Sequence, residues 1–157
     1  MSEKTSAGVD TTYSHSTAPH DQFDFIIGNW LVRDASGQAI GVATISKEYG
    51  GCVLVEKRHG VGKSHESLGV VGYRLASGTW HRDFIDDSGF VLSLDGGRDA
   101  AAMVMTGKDY RTEITRMHRV SWTHMSDGTI EERWQISSDG GTSWQEHFYA
   151  VFQRIAE

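Results

Sequence analysis

The stretch Phe23-Asp24-Phe25-Ile26-Ile27-Gly28-Asn29-Trp30 decides the fold of this 157-residue chain. Phe23, Ile26 and Ile27 recur at the i, i+3, i+4 spacing of an apolar helix face, and Gly28 can end such a helix. The stretch therefore predicts a helix of about two turns that runs into a strand carrying Trp30. Because strand patterns follow along the rest of the chain, we expect a closed β-barrel with this helix as a plug at one end.

Turn signals divide the rest of the chain almost evenly. The sequence has 18 Gly against one Pro, a balance typical of strands joined by tight turns. Nine signals separate ten strand patterns, and they are Ala35–Gly37, Tyr49–Gly51, Gly60–Ser67, Ala76–Gly78, Asp87–Gly89, Asp95–Gly97, Gly107–Asp109, Met125–Gly128 and Asp139–Gly141. Such short connections leave no room for crossover helices. The sequence thus predicts an all-β protein, a closed antiparallel meander barrel of about ten strands.

Composition limits the domain count and the possible partners. Residues 1–18 are rich in Ser, Thr, Gly and Ala and predict a disordered tail, and residues 19–157 predict a single domain. The net charge is −6 and the basic residues are scattered singly, so we expect no nucleic-acid partner. No segment has the roughly 20 apolar residues of a membrane span. Cys52 is the one cysteine, which fits a reducing compartment, so the chain is predicted to be cytoplasmic. We expect a monomer or a homodimer.

Strand alternation selects side chains that point into the barrel. Trp80, Arg82 and Phe84 share one strand face, and this ring-bearing face is the predicted interior. Glu132 and Trp134 lie on the apolar side of a later strand. An unpaired charge inside a barrel is costly. We therefore expect Arg82 to meet either an internal carboxylate or an acidic or carbonyl group of a ligand.

Two other strands carry polar candidates. The run Cys52 to Val55 is apolar at both parities, so alternation leaves open whether Glu56 and Arg58 or Lys57 and His59 face inward.

A later strand pattern places Arg116 and His118 on one face with Tyr110, Ile114 and Trp122. His118 is then an acid, a base or a hydrogen-bond donor in the cavity, or a structural histidine. The predicted cavity residues are Glu56, Arg58, Trp80, Arg82, Phe84, Arg116, His118, Glu132 and Trp134. These polar groups either pair internally or orient a ligand.

The eight histidines do not form a metal-binding pattern, since none stands in His-x-His, His-x-x-x-His or His-Glu-x-x-His. His81 and Asp83 share a strand face at i, i+2, but alternation places that face outside. We therefore predict no metal site.

The Gly28-x-Trp30 step resembles the calycin superfamily, the lipocalins and their relatives. In that superfamily the Trp closes the barrel floor and a basic residue from the last strand packs across it, a role that the resemblance gives to Arg154. Haem-binding nitrobindin barrels are distant relatives that ligate iron through histidine, which makes His147 the residue to check. Its strand face carries Gln145 and Gln153 among Tyr149 and Val151, so we predict no cofactor.

A closer resemblance is to bacterial lipocalin-like domains that open with Phe-Asp-Phe-x-x-Gly-x-Trp. The matching motifs here are Phe23 to Trp30, Gly50 to Glu56 and Ser137 to Trp144, and the resemblance covers about residues 21–154. It implies a lipocalin-like barrel, but that family has no single established activity.

The segment Ser137 to Trp144 also fits the Asp-box pattern, Ser-x-Asp-x-Gly-x-x-Trp. In this pattern the aspartate accepts hydrogen bonds from the turn backbone and the tryptophan packs under the hairpin. We expect Asp139 to stabilise a turn and not to act as a catalytic acid.

Three functions are compatible with the sequence. The first is a carrier or sensor that binds a small apolar or aromatic molecule in the barrel cavity. The second is a cofactor-independent cyclase, isomerase or lyase in which Arg82, His118 or a carboxylate transfers a proton. The third is a structural or interaction barrel filled by its own side chains. Gly72, Ala101 and Ala150 are small residues that we expect to leave room for a ligand.

Overall fold

A computed structural model describes residues 19–62, 65–111 and 113–156, and the predicted tail over residues 1–18 lies outside these ranges. The described residues form ten β-strands. They are β1 (Gly28–Arg33), β2 (Ala39–Glu48), β3 (Val53–Gly60), β4 (Glu66–Arg74), β5 (Thr79–Asp86), β6 (Val91–Asp99), β7 (Ala102–Asp109), β8 (Arg116–His124), β9 (Ile130–Ser137) and β10 (Gln145–Arg154). Among these residues no helix combines the length and the apolar character needed to cross a membrane.

The strands pair in sequence order and the sheet closes on itself. Each strand is antiparallel to its neighbours in the chain, and β1 completes the ring by pairing with β10, with Trp30 opposite Arg154. The predicted closed antiparallel meander barrel is confirmed. Because strand directions alternate, the connections after β1, β3, β5, β7 and β9 lie together at one end of the barrel, and the N-terminal segment lies at the other.

Two of the nine predicted turns are displaced along the chain. Gly96 lies within β6 and Gly107 within β7, and the turn between these strands is formed by Ala100 and Ala101. A Cβ atom at Gly96 would lie 1.9 Å from a backbone oxygen of β7, and one at Gly107 would lie 2.0 Å from a backbone oxygen of β6. These glycines let adjacent strands approach closely, a role of glycine in sheets that differs from its role in turns.

The plug is shorter than predicted. A 3-10 turn over Asp24–Ile26 replaces the expected two-turn helix, because the chain enters β1 only two residues later at Gly28. The turn still places Phe23 and Ile26 in the barrel, where they are 0% and 2% exposed. The Phe23 ring packs on Trp80 and Trp122, with centroids 6.0 and 5.5 Å apart. The plug function is therefore served by one buried turn.

Trp30 and Arg154 form the predicted closing contact. The Arg154 guanidinium carbon lies 4.2 Å from the centre of the Trp30 ring, and Arg154 Nη1 donates a hydrogen bond of 3.1 Å to the Ile27 carbonyl. Trp30 Nε1 donates to the Ile26 carbonyl at 2.8 Å. Strand, plug and C-terminus thus meet at one fully buried indole.

The segment Ser137 to Trp144 forms the predicted hairpin turn at the opposite end. One Asp139 oxygen accepts the Ser143 backbone N–H at 2.8 Å and the Ser137 hydroxyl at 2.7 Å. Hydrogen bonds from the side chain and the backbone of Ser143, then from Ser137, lower the pKa of Asp139 to about 2. The Arg119 guanidinium stacks 4.1 Å from the Trp144 ring centre. All these contacts are structural, as the pattern predicts.

Replacing Trp30 with Ala should destabilise the barrel by about 3 to 5 kcal/mol, because a fully buried indole is lost where plug and last strand meet. Urea unfolding measures this change, and Leu75→Ala, at a half-exposed turn position at the same end, is the matched control. A Trp30→Ala variant as stable as the control would contradict the closing role.

Replacing Asp139 with Ala should lower the melting temperature and leave ligand affinity per folded molecule unchanged. Since its pKa is lowered in the fold, the ionised carboxylate stabilises the turn above pH 4, and this contribution is lost as pH falls through about 2. The difference in melting temperature from the parent should therefore shrink between pH 5 and pH 2. Ser138→Ala in the same turn is the control, and a pH-independent difference would refute the assignment.

Candidate functional site

A layer of four charged side chains, three of them buried, crosses the middle of the barrel. Alternation brings Glu56 and Arg58 inward from β3, Arg82 from β5 and Glu132 from β9. Arg82 Nη2 donates to Glu56 Oε1 at 3.0 Å, and Arg58 Nη2 donates to the same oxygen at 3.1 Å. Arg58 also binds Glu132 with two hydrogen bonds of 2.8 and 2.9 Å. The structure thus resolves the open parity of β3 in favour of Glu56 and Arg58.

The internal carboxylate that meets Arg82 is Glu56, and the backbone is adapted to this pair. A Cβ atom at Gly69 would lie 2.6 Å from the Arg82 guanidinium carbon, so glycine provides the space for the cation. The guanidinium also lies 5.0 Å from the Trp122 ring centre, and Trp122 Nε1 donates to Glu132 at 2.6 Å. Each charge in the layer therefore has at least one charged partner, as buried ions require.

The layer has no net formal charge, because two guanidinium groups face two carboxylates. Burial alone would raise the pKa of Glu56. The nearby guanidinium groups of Arg58 and Arg82 have the larger effect and hold this pKa below its usual value. Burial alone would lower the pKa of Arg58. The carboxylates of Glu132 and Glu56 have the larger effect and raise the pKa of Arg58 above its usual value. Both groups stay ionised, so the layer is a fixed polar floor inside the barrel.

Above the layer, the barrel opens into a cavity of about 460 Å³ at the end opposite the plug. Aromatic side chains form much of its wall, and a few polar groups lie between them. The lining residues are Val32, Ile40, Gly41, Arg58, Gly60, His65, Ser67, Phe84, Asp86, Phe90, Trp134, His147 and Phe148. Below the layer, a void of only about 10 Å³ remains among the apolar side chains of the plug end.

Small residues supply the space, but not the predicted ones. Gly72 does not face inward, because it lies between two inward-facing positions of β4. Ala101 is exposed in the turn between β6 and β7. Ala150 does face inward and is fully buried, but it does not line the cavity. Instead Gly41 and Gly60 line the cavity, so the open space comes from glycines near the mouth.

His147 reaches the cavity through a β-bulge. The pairing of β10 with β9 shifts between Glu146 and Phe148, which lies opposite Trp134, so His147 is an additional residue in the strand. A bulge redirects a side chain, and here both His147 and its neighbour Phe148 line the cavity. The imidazole lies against the Trp134 ring with centroids 5.3 Å apart. Burial, followed by the charges of Arg116 and Arg111, lowers the pKa of His147.

His118 supports the cavity wall from behind. Its Nδ1 accepts a hydrogen bond of 2.8 Å from Trp134 Nε1, and its Nε2 lies 3.4 Å from Asp109 Oδ2. An accepting Nδ1 carries no proton, so the neutral ring has its proton on Nε2, facing the carboxylate. Burial lowers the pKa of His118, in agreement with a neutral ring. His118 therefore fixes the position of Trp134.

Asp109 anchors this chain of contacts at the rim. A hydrogen bond from the Arg111 side chain is the main reason that the pKa of Asp109 falls to about 2. The Arg111 guanidinium lies 3.9 Å from the centre of the Phe90 ring, another wall residue. Asp109 and Arg111 thus stabilise two aromatic side chains of the cavity, directly or through His118.

The structure separates the predicted site residues into five groups. Arg58, Phe84 and Trp134 line the cavity, and Glu56, Arg82 and Glu132 complete the charged layer beneath it. Trp80 lies below the layer and donates to Gln22 at 3.1 Å. His118 lies behind the wall. Arg116 is exposed at the start of β8, and Tyr110 and Ile114, expected on its face, lie exposed in the preceding connection.

The outward histidine face is a surface cluster of ion pairs. His81 lies 3.1 Å from Asp83 and 2.9 Å from Asp95, on the outside of β5 as predicted. Within the described ranges, no three His, Cys, Asp or Glu side chains are arranged to hold a metal ion.

No protein-family model matches the chain, and no curated protein matches it in sequence.

Replacing Arg82 with Met should destabilise the barrel by about 3 to 5 kcal/mol, because Glu56 loses one of its two cations inside the protein. Combining this change with Glu56→Gln removes the excess charge and should recover much of the loss, since Arg58 keeps Glu132. Denaturant unfolding of both variants tests the layer. Equal stability of the single and the double variant would show that the charges are not coupled.

Proposed function

We propose that this barrel is a carrier or sensor that binds one small aromatic or apolar molecule in the open cavity. The observation that carries the proposal is the difference between the two barrel ends. The plug end is packed around a void of about 10 Å³, and the other end holds a cavity of about 460 Å³. Small-molecule sites usually measure roughly 300 to 1,000 Å³.

The chemistry of the wall favours an aromatic ligand. Phe84 and Trp134 meet edge to face with centroids 5.5 Å apart, and Phe90 stacks on Trp134 at 6.2 Å. Phe148 adds a fourth ring to the lining. Trp134 is held by His118, so the wall has its shape before a ligand arrives. A preformed aromatic wall binds flat apolar molecules at a low cost in side-chain ordering.

The positions of the acid and base candidates favour binding over catalysis. Arg82 donates to Glu56 within the charged layer, and His118 accepts from Trp134 through one ring nitrogen while the other faces Asp109. A general acid or base must come within hydrogen-bonding reach of the substrate. Neither group lines the cavity, so proton transfer by a cyclase, isomerase or lyase would fall to the lining residues His65, Asp86 or His147.

We further propose that the chain is a lipocalin-like domain of the calycin type. The meander order of the closed barrel and the stacking of Arg154 on Trp30 support this proposal. Such a relationship leaves the ligand open, since one fold carries many functions.

A cavity-filling variant tests the proposed function. Ser67→Trp places an indole in the cavity and should weaken binding of the fluorescent probe 1-aminoanthracene by at least about tenfold. Thr44→Trp, at an exposed position of β2, is the matched control and should bind as the parent does. Native mass spectrometry of freshly purified protein would in addition show a copurified ligand as added mass.

Two results would contradict the proposal. One is a parent protein that binds neither this probe nor any copurified molecule. The other is a Ser67→Trp variant that folds as stably as the parent and binds the probe with unchanged affinity, because the probe would then occupy some other site.

A further inference from the structure

Arg58 is the polar group at the floor of the cavity. Together with Phe84 and Trp134 it lines both the open cavity and a smaller void of about 20 Å³ next to the charged layer. Its side chain is 17% exposed, whereas those of Glu56 and Glu132 are 2% and 3% exposed. Among the charged side chains of the layer, Arg58 is therefore the one that a ligand in the cavity reaches first.

Arg58 has hydrogen-bond donors left over. A guanidinium carries five N–H groups, and the contacts with Glu132 and Glu56 use three of them. The two left over are one N–H of Nη1 and the Nε–H, which is buried and has no hydrogen-bond partner among the described residues. A buried donor without a partner has lost its hydrogen bonds to water without replacement, so an acceptor placed against it gains affinity. Because a guanidinium cannot accept, the ligand group that meets Arg58 must be an acceptor.

Charge balance decides what kind of acceptor fits. Glu132 already binds Arg58 with both oxygens, and Glu56 binds it as well. The other acidic residue in the lining, Asp86, stays ionised, because hydrogen bonds from Ser88 and Phe90 outweigh burial and lower its pKa. A ligand carboxylate would thus meet no unpaired cation at the floor and would lie close to two carboxylates, which repel it.

The void beside Arg58 also limits the size of the group. A volume of about 20 Å³ has room for about one water-sized group. A single carbonyl or phenolic oxygen fits this space, and the ring that carries it would then lie among Phe84, Phe90 and Trp134.

We infer that the ligand is an uncharged aromatic molecule whose carbonyl or phenolic oxygen accepts a hydrogen bond from Arg58 at the cavity floor. This inference rests on the proposed function and makes it specific for a ligand class and an orientation. The aromatic wall provides affinity for the ring, and Arg58 selects the oxygen.

Three naphthalenes of similar size provide the first test. 2-Acetylnaphthalene has a neutral acceptor oxygen, 2-ethylnaphthalene has none, and 2-naphthoate is anionic. The ketone should bind about tenfold more tightly than the hydrocarbon or better, because its partner is a charged donor. It should also bind more tightly than the carboxylate. Isothermal titration calorimetry at pH 7 gives the three affinities.

Arg58→Lys tests the donor itself. Lysine keeps a cation for Glu132 and Glu56 but removes the Nε–H, so the advantage of the ketone over the hydrocarbon should fall to within about twofold. Lys57→Arg, on the outer face of the same strand, is the matched control and should keep the full advantage. If Arg58→Lys does not fold, the Arg58 Nε–H resonance of the parent gives the same answer, since the ketone should shift it and the hydrocarbon should not.

The outcomes separate the two proposals. Equal affinity for ketone and hydrocarbon would overturn the role of Arg58 and leave the cavity as a binding site. A carboxylate that binds at least as tightly as the ketone would overturn the neutral ligand class. Failure of all three naphthalenes to bind the parent would overturn this inference, and together with failure of 1-aminoanthracene it would count against the proposed function.

Discussion

The neutralisation of four charges inside the barrel is the constraint on which the rest of the structure depends. Arg82 and Arg58 share the Glu56 carboxylate, and Arg58 reaches across the interior from β3 to bind Glu132 on β9. Removing any one partner would leave a buried charge uncompensated. Gly69 belongs to the same constraint, because only a residue without a side chain leaves space for the Arg82 guanidinium.

This layer divides the barrel into a stabilising half and a functional half. On the plug side, Phe23, Trp30 and Trp122 are at most 1% exposed and pack around the chain closure. On the mouth side, the rings form the wall of a cavity of about 460 Å³. Trp134 faces that space, and it is oriented by His118 and not by close packing from all sides. A fold stabilised at one end can leave apolar surface open at the other, which is what binding requires.

Sequence patterns predicted the sheet better than the site. Period-2 alternation and turn residues give strand number, order and the inward placement of Arg82, because these depend on local backbone geometry. Alternation did not resolve Glu56, since its strand is apolar at both parities. Alternation also could not show that His147 lines the cavity, because a bulge adds one residue without a sequence signal. Alternation left open whether His118 is a cavity group or a structural histidine, because its partners, Asp109 and Trp134, come from other strands. The pattern Asp109-x-Arg111 was the available sequence signal. It indicates a contact with His118 only after the closed sheet has brought the strands together.

The indole N–H resonances offer the most direct test of the central claim, because the chain's five tryptophans mark different places in the barrel. Trp30, Trp80 and Trp122 lie on the plug side of the charged layer, Trp144 lies in the outer turn, and Trp134 lines the cavity. Titration of ¹⁵N-labelled protein with 2-acetylnaphthalene, followed by heteronuclear correlation spectra, should shift the Trp134 resonance most strongly and leave those of Trp30, Trp80 and Trp144 in place. Saturable binding that shifts Trp30 or Trp144 while Trp134 stays unchanged would place the ligand elsewhere and contradict the account.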